Sequence, residues 1–238
     1  VETLSDPKEA LLVLSEQDGV VSADLDVVVR ALEAPNDPRF GEQWALTGTY
    51  GLNATAAWEL TTGSDGVVVA VIDTGIDFNH PDLKDNIWTN PGEIANNGLD
   101  DDNNGYIDDI HGWDFIDSNN DPSDEMGHGT AVSSTIAALQ NNGVGMAGIA
   151  PHARIMTIRA LYDSDQTAVA AALSTLLANA DYLEKYARIV NLSLTNSSPC
   201  AQMVYDVIEA LGEKGVLVVA AAGNDGINID VNPVTPAS

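Results

Sequence analysis

Three residues of this chain have side chains suited to proton transfer and to the stabilisation of an oxyanion. Asp73 is the first polar residue after an apolar run, His128 stands between two glycines, and Asn224 follows Ala-Ala-Gly. An imidazole can transfer a proton, a carboxylate can orient that imidazole, and an amide N–H can stabilise developing negative charge. Taken singly, the same residues also fit a turn cap, a loop histidine and an Asn-Asp-Gly turn. Their chemistry therefore depends on whether the fold brings them together.

Short apolar runs alternate with amphipathic stretches over most of the chain. Four runs are predicted strands, Val67–Asp73, Arg154–Leu161, Arg188–Leu194 and Val216–Ala222. The stretches between them are predicted helices, Thr130–Gln140, Thr167–Tyr186 and Ala201–Lys214. This alternation predicts an α/β fold of three layers, with a buried parallel sheet between helices. Since sites in such sheets form beyond the carboxyl ends of the strands, Asp73 and Asn224 lie where a site is expected.

The composition excludes several classes of protein. The chain has 238 residues, 45% of them hydrophobic, so one sizeable core can form. Its formal net charge of −27 would repel nucleic acid and anionic membrane surfaces, so we expect neither as a partner. No apolar run approaches the roughly 20 residues that span a bilayer. One cysteine, Cys200, cannot form an internal disulfide.

Much of the negative charge lies in one stretch. Residues 85–153 contain no lysine or arginine, and Gly98–Glu125 holds ten carboxylates among 28 residues. Apolar residues such as Trp113 and Phe115 interrupt this stretch and are expected to be buried. Burial beside so many carboxylates needs a counter-charge that the sequence does not supply, so bound cations are expected.

One part of this stretch follows the ligand order of a calcium loop. The candidate ligands in Asp-x-Asp-x-Asn-Gly order are Asp100, Asp102, Asn104, Tyr106 and Asp108. Position twelve is His111 and not glutamate, so the loop is not a complete EF-hand loop. A plain acidic surface loop is the alternative.

Five motifs in order resemble the subtilisin-like serine peptidase family, in particular its thermitase-like, calcium-binding members. Asp73 lies in Val-Ile-Asp-Thr-Gly-Ile-Asp, His128 in Gly-His-Gly-Thr and Asn224 in Ala-Ala-Gly-Asn. The other two motifs are His80-Pro81-Asp82-Leu83 and Gly148-Ile149-Ala150-Pro151. The resemblance runs from about Asn36 to the last residue. It implies a subtilisin-like fold with calcium-bearing loops, and serine endopeptidase activity.

The resemblance also implies roles for individual residues. His128 would be the general base, Asp73 would fix its tautomer, and Asn224 would donate a hydrogen bond to the oxyanion. The substrate cleft would include Ser193, Leu194, Thr195, Ala221, Ala222 and Gly223. Thr195 stands where the family usually has glycine, and its branched side chain would narrow the path of a substrate strand.

The nucleophile that the resemblance implies is missing. In the family it lies in a Gly-Thr-Ser motif downstream of the asparagine, and this chain contains no such motif. The glycine-rich start of a helix is lacking at Ser64, Ser193, Ser197 and Ser198. A second segment or chain could carry the serine, the sequence could cover part of the protein, or the protein could be an inactive relative. The three matching site residues favour the first two explanations, so we expect this chain alone to be inactive. The alternative is a pseudopeptidase that binds peptides without cutting them.

The resemblance implies two calcium sites. The first would use Asp82, Asp37, the side chain of Asn142 and the backbone carbonyls of Gln140, Val144 and Met146. The second would use Asp114, Asp117, Asn119, Asp121 and Ser123. Oxygen ligands suit a hard cation, so Ca²⁺ is the expected cofactor. Calcium use and family habit together predict a secreted or extracellular protein, although Val1–Ala10 lacks the pattern of a signal peptide.

The sequence Asn36-Asp37-Pro38 marks a predicted boundary near the amino terminus. The resemblance implies that residues 35–238 are the N-terminal part of a catalytic domain. It implies that residues 1–34 are the end of an inhibitory prodomain, while an ordinary N-terminal arm is an equal alternative. A retained prodomain would indicate a zymogen, and the expected partners are that prodomain and a peptide or protein substrate.

Overall fold

The structure is a computed structural model that describes Leu11, Val13 and residues 15–17, 19–21, 34–162, 180–195 and 202–237. The chain divides into two compact units, residues 1–33 and 34–238. In the first unit Leu11, Val13 and Ser15 are helical. Most of the prodomain-like segment lies outside the described residues, as do Ser197, Ser198 and Cys200. The interpretation of residues 1–34 therefore stays a prediction.

The second unit is built on a sheet of five parallel strands. These are β1 (Val68–Asp73), β2 (Gly112–Asp114), β3 (Arg154–Arg159), β4 (Ile189–Leu192) and β5 (Leu217–Ala220). Their spatial order is β2-β3-β1-β4-β5, so the direction of winding reverses at β1. Such a reversal opens a crevice beyond the carboxyl ends of the central strands. Four strands match the predicted ones within a few residues, whereas β2 was not predicted, because its three residues form no apolar run.

Helices cover both faces of the sheet. They are α1 (Trp44–Thr47), α2 (Ala54–Trp58), α3 (His128–Ala137), α4 (Ala180–Tyr186) and α5 (Gln202–Glu213). Short 3₁₀ turns occur at Phe40–Glu42 and Lys84–Asn86. The last three helices correspond to the predicted ones, although Thr167–Tyr186 is described only from Ala180. No described helix combines the length and the apolar character that a bilayer crossing requires.

Side-chain alternation along β1 divides the core into two parts. Val68, Ala70 and Ile72 pack in one cluster with residues of α4 and α5. Val69 and Val71 pack in the other cluster, which includes Ala137 of α3. Every residue of β1 is buried, as expected for a central parallel strand. The predicted three-layer α/β fold is thus confirmed, and the alternation places Asp73 on the face where α3 begins.

Candidate active site

The end of β1 and the start of α3 bring Asp73 and His128 together. Nδ1 of His128 lies 2.6 Å from Oδ1 of Asp73, although the two residues are 55 positions apart in sequence. The side chain of Asp73 is fully buried, whereas that of His128 is 54% exposed. With Nδ1–H donating to the carboxylate, Nε2 is the free acceptor nitrogen of a neutral imidazole. The pair can therefore accept a proton from the crevice.

The surroundings of Asp73 destabilise its ionised carboxylate unless a positive group lies beside it. Oδ1 also accepts the backbone N–H of Thr74 at 2.8 Å. Oδ2 is buried and has no hydrogen-bond partner among the described residues. Burial raises the pKa of Asp73, and the hydrogen bonds from His128 and Thr74 offset only part of that rise. An imidazolium at His128 would be stabilised by this buried carboxylate.

Asn224 lies in the exposed loop that follows β5. Because β5 is two strands away from β1, and parallel strands are about 4.8 Å apart, the two strand ends lie about 10 Å from each other. The structure therefore places Asn224 at the same edge of the sheet as Asp73 and His128.

The other predicted cleft residues follow the ends of β4 and β5. Leu194 is buried and packs in the core. Ser193 Oγ accepts the side-chain amide of Asn191 at 2.9 Å. A Cβ atom built at Gly223 would lie 3.7 Å from both Cγ2 and Oγ1 of Thr195. The two strand ends thus approach each other closely at this pair, while Ala221 is half-buried and Ala222 exposed.

The first predicted calcium site contains two buried carboxylates, Asp37 and Asp82, which are 4% and 1% exposed. The backbone N–H and side-chain amide of Asn142 donate to Asp37 and Asp82, at 3.2 and 2.7 Å. Met146 donates its backbone N–H to Asp82 at 2.9 Å. Among the described residues no ion pair includes either carboxylate. Two buried carboxylates with only neutral donors fit a divalent cation. The predicted carbonyl ligands Gln140 and Val144 lie in the same loop.

The second predicted calcium site has a counter-charge that the sequence argument did not find. Arg159 places Nη1 2.6 Å from Oδ2 of Asp114 and 3.2 Å from Oδ2 of Asp117. Oδ1 of Asp114 accepts the backbone N–H groups of Ile116 and Asp117. Asp114 therefore does not fit a metal ligand in this arrangement. The exposed Asn119 and Asp121 and the half-buried Ser123 lie in the same loop, and their role stays a prediction.

In the third predicted site the structure groups Asp100 and Asp102 with Glu93. One carboxylate oxygen from each of the three lies within 4.8 Å of the others. Asp108 accepts the backbone N–H groups of Asn97 and Gly98, and it is not a member of this group. Asn104 donates its backbone N–H to both Asp100 and Asp102 at 3.0 Å. Lys185 lies 3.2 Å from Asp102 and balances part of the charge.

Glu93 and Arg159 were missed by the sequence reasoning. Glu93 precedes the acidic stretch and belongs to no motif, and only the fold brings it to Asp100. Arg159 lies within the predicted strand Arg154–Leu161, and a charged residue inside an apolar run was a signal that could have pointed to it.

The sequence of this chain matches a known protein family and several of its curated members. The sequence profile of the subtilase family matches residues 64–238. The chain belongs to the subtilase family. The extracellular basic protease of Dichelobacter nodosus is 33% identical over 257 residues, which cover 100% of this chain and 42% of that protein. The thermophilic serine proteinase of Bacillus sp. strain AK1 is 33% identical over 215 residues, 90% of this chain and 46% of that protein.

Solved subtilase-like structures agree with the fold as well. A protease from Pseudoalteromonas arctica PAMC 21717 aligns with a TM-score of 0.66 and 29% sequence identity, over 86% of this chain and 62% of that one. This subtilase chain spans less than half the length of the two curated relatives described above. The predicted resemblance to subtilisin-like peptidases is thus confirmed.

Proposed function

We propose that the protein containing this chain is a secreted serine endopeptidase that uses Asp73, His128 and Asn224. The observation that carries the proposal is the 2.6 Å contact between His128 Nδ1 and the buried Asp73, at the reversal point of the sheet. Relatives with extracellular and serine protease names support the same reaction class and the same location. The substrate is then a peptide or protein.

The proposed reaction uses His128 as the proton carrier. Nε2 accepts the proton of a serine hydroxyl as that oxygen attacks the scissile carbonyl, and later donates it to the leaving amine. Asp73 keeps Nδ1 protonated and stabilises the imidazolium. Asn224 donates its side-chain N–H to the oxyanion, and loss of one such donor costs about 10²–10³ in turnover.

The serine would come from a segment outside this chain, and this chain alone would be inactive. The edge of β5 supports this part of the proposal. β5 pairs with β4 on one side, and no described strand pairs with its other side. Leu217 and Val219 on β5 are 60% and 47% exposed, which is unusual for aliphatic residues of a parallel sheet. A further segment that packs here would cover them.

Calcium is the proposed cofactor. Asp37, Asp82 and Asn142 would hold one ion, and Glu93, Asp100 and Asp102 would hold another. The ions would offset carboxylate repulsion and order the loops. The chain's own residues carry the proposed proton transfer.

The test uses the complete protein and a serine-reactive phosphonate probe with a fluorogenic peptide. His128→Ala should abolish cleavage and labelling, whereas Asn224→Ala should retain labelling and a measurable remnant of cleavage. His152→Ala is the matched control, since His152 and its partner Thr62 precede β3 and β1, at the opposite edge of the sheet from the site. Peptide binding without cleavage or labelling in the parent protein would instead favour a pseudopeptidase. Strong phosphonate-sensitive cleavage by this chain alone would refute the missing-serine part of the proposal.

A further inference from the structure

The carboxylate of Asp124 is saturated with hydrogen bonds from two separate segments. Its donors are Thr74 Oγ1 at 2.8 Å, the backbone N–H groups of Met126, Gly127 and Thr130 at 2.9, 2.8 and 2.9 Å, and Thr130 Oγ1 at 2.6 Å. Thr74 follows the last residue of β1, and the other donors belong to the start of α3 or the turn before it. Asp124 therefore ties the end of β1 to the start of α3.

Thr74 extends this connection to the residue after His128. The hydroxyl of Thr74 donates to Asp124 and accepts the backbone N–H of Gly129 at 2.9 Å. The two segments also approach each other closely, because a Cβ at Gly129 would lie 2.2 Å from the carbonyl oxygen of Gly75. Asp73 precedes Thr74, and His128 lies between two glycines whose backbone N–H groups are held by Asp124 and Thr74.

The position of His128 depends on this backbone attachment. Its ring is 54% exposed, and its hydrogen bond to Asp73 is a single contact at Nδ1. Gly127, at the N-cap of α3, has φ +89° and offers no side chain that could support the ring. A displacement of about 1 Å at such a site can cost about 10² in rate.

We propose that Asp124 is the positioning residue that sets the register between Asp73 and His128, acting through Thr74 and the first turn of α3. This inference rests on the proposed function for its catalytic consequence. The geometric part, control of the His128–Asp73 hydrogen bond, does not need the missing serine.

Asp124 could instead serve only as a charged partner of the helix N-terminus. Carboxylates near that end stabilise a helix through its partial positive charge. That role predicts a lower melting temperature for Asp124 variants and leaves the His128–Asp73 hydrogen bond intact. The two roles are therefore separated by a property of the His128 ring and not by stability.

The experiment measures the His128 ring by NMR in the 238-residue chain. The readouts are the far-downfield Nδ1 proton of a short His–Asp hydrogen bond and the tautomer of the neutral His128 ring from its ¹⁵N shifts. Asp124→Ala and Thr74→Val should both lose the downfield proton and the preference for the Nδ1–H tautomer, because Nδ1 loses its carboxylate partner. Thr74→Val changes no charge, so it separates the hydrogen-bond link from the charge of Asp124.

Two control variants complete the design. Thr74→Ser keeps the hydroxyl and should retain both readouts. Asp77→Asn removes one exposed charge close to the site, while Asn79 can still donate its backbone N–H to the remaining side-chain oxygen. Loss of the downfield proton in Asp77→Asn to the same extent as in Asp124→Ala would overturn the proposal, since charge alone would then explain it.

The effect on catalysis is measured in the complete protein. Asp124→Ala and Thr74→Val should lower kcat about 10- to 100-fold with KM nearly unchanged. Retention of the downfield proton and of the Nδ1–H tautomer in both variants would overturn the proposal, whatever their melting temperatures. Absence of a His128–Asp73 hydrogen bond in the parent chain would overturn it too. A complete protein without peptidase activity would refute the proposed function only, because the NMR measurement tests the His128–Asp73 hydrogen bond independently of activity.

Discussion

Asp114 and Arg159 are register partners at the carboxyl ends of β2 and β3, and they form a buried ion pair of 2.6 Å. On its other side Arg159 is the register partner of Asp73 at the end of β1. The side chains of Arg159 and Asp114 are 7% and 0% exposed. β3 therefore ends in a cation, and its two neighbours, β2 and β1, each end in a buried carboxylate.

Loss of this cation should destabilise the fold strongly. We expect Arg159→Met to lower the free energy of unfolding by about 3–5 kcal/mol, because Asp114 would stay buried without a counter-charge. Arg159→Met combined with Asp114→Asn should recover part of the loss. The measurement is urea unfolding at neutral pH and constant calcium. Arg39→Met is the control, since its ion pair with Glu42 is exposed to solvent and contributes little to stability.

Calcium should raise the melting temperature relative to a chelator. Binding to the native state alone adds about 2.7 kcal/mol at a hundredfold excess over Kd. Asp82→Ala should remove the part due to the first site, and Glu93→Gln the part due to the cluster with Asp100. Asp85→Asn, an exposed carboxylate outside both sites, should keep the full shift. Equal melting temperatures with calcium and chelator would contradict both metal assignments.

The buried charge of Asp73 should cost stability at neutral pH. Because the pKa of Asp73 is raised in the folded state, the native protein binds more protons than the unfolded chain above the ordinary value of 3.8. Stability from this group therefore falls as pH rises from about 3.8 to the folded value. Asp73→Asn should unfold at a higher temperature than the parent at pH 7, and the difference should vanish below about pH 3.8. A loss of stability of equal size at every pH would contradict this expectation, and Asp77→Asn should show almost no change.

Thr195 should restrict the residue that the cleft accepts before the scissile bond. Its methyl and hydroxyl lie near Gly223, where the segments that follow β4 and β5 pass each other. Thr195→Gly in the complete protein should raise kcat/KM for bulky side chains at that position by about 10-fold, and change it little for alanine. Thr195→Ser, which removes only the methyl, should fall between the two. An unchanged ranking of peptides would show that Thr195 does not line the specificity pocket.

The sequence predicted the structure best where one hydrophobic pattern decides the secondary structure of a segment. The apolar run from Val67 to Asp73 predicted β1 because a central parallel strand is buried on both faces. Motifs then predicted Asp73 and His128 as members of one site, and in the structure their side chains lie within hydrogen-bond distance of each other. The partners of Arg159 could not be predicted, because they depend on the register between β2 and β3. The strand β2 was missed because its three residues are too few to show a hydrophobic pattern.

The counter-charges of the acidic loops could not be predicted from the sequence for a second reason. Their counter-charges come from Arg159 and Lys185, which lie beyond the cation-free stretch in sequence and meet it only through tertiary packing. The expectation that the sequence supplies no counter-charge was therefore wrong for Asp114 and Asp102. Asp37 and Asp82 keep neutral donors only, and the same reasoning still applies to them.

The cation-free stretch between Lys84 and Arg154 also has a consequence for cleavage by other enzymes. It contains long, irregular and mostly exposed loops, the kind of segment in which proteases nick folded domains. Trypsin and similar proteases cut only after lysine or arginine, and residues 85–153 offer neither. A digest would therefore release β2 and all of α3 within one uncut peptide. In a medium rich in such proteases, the loops leading to His128 would survive intact where a more basic loop would be cut.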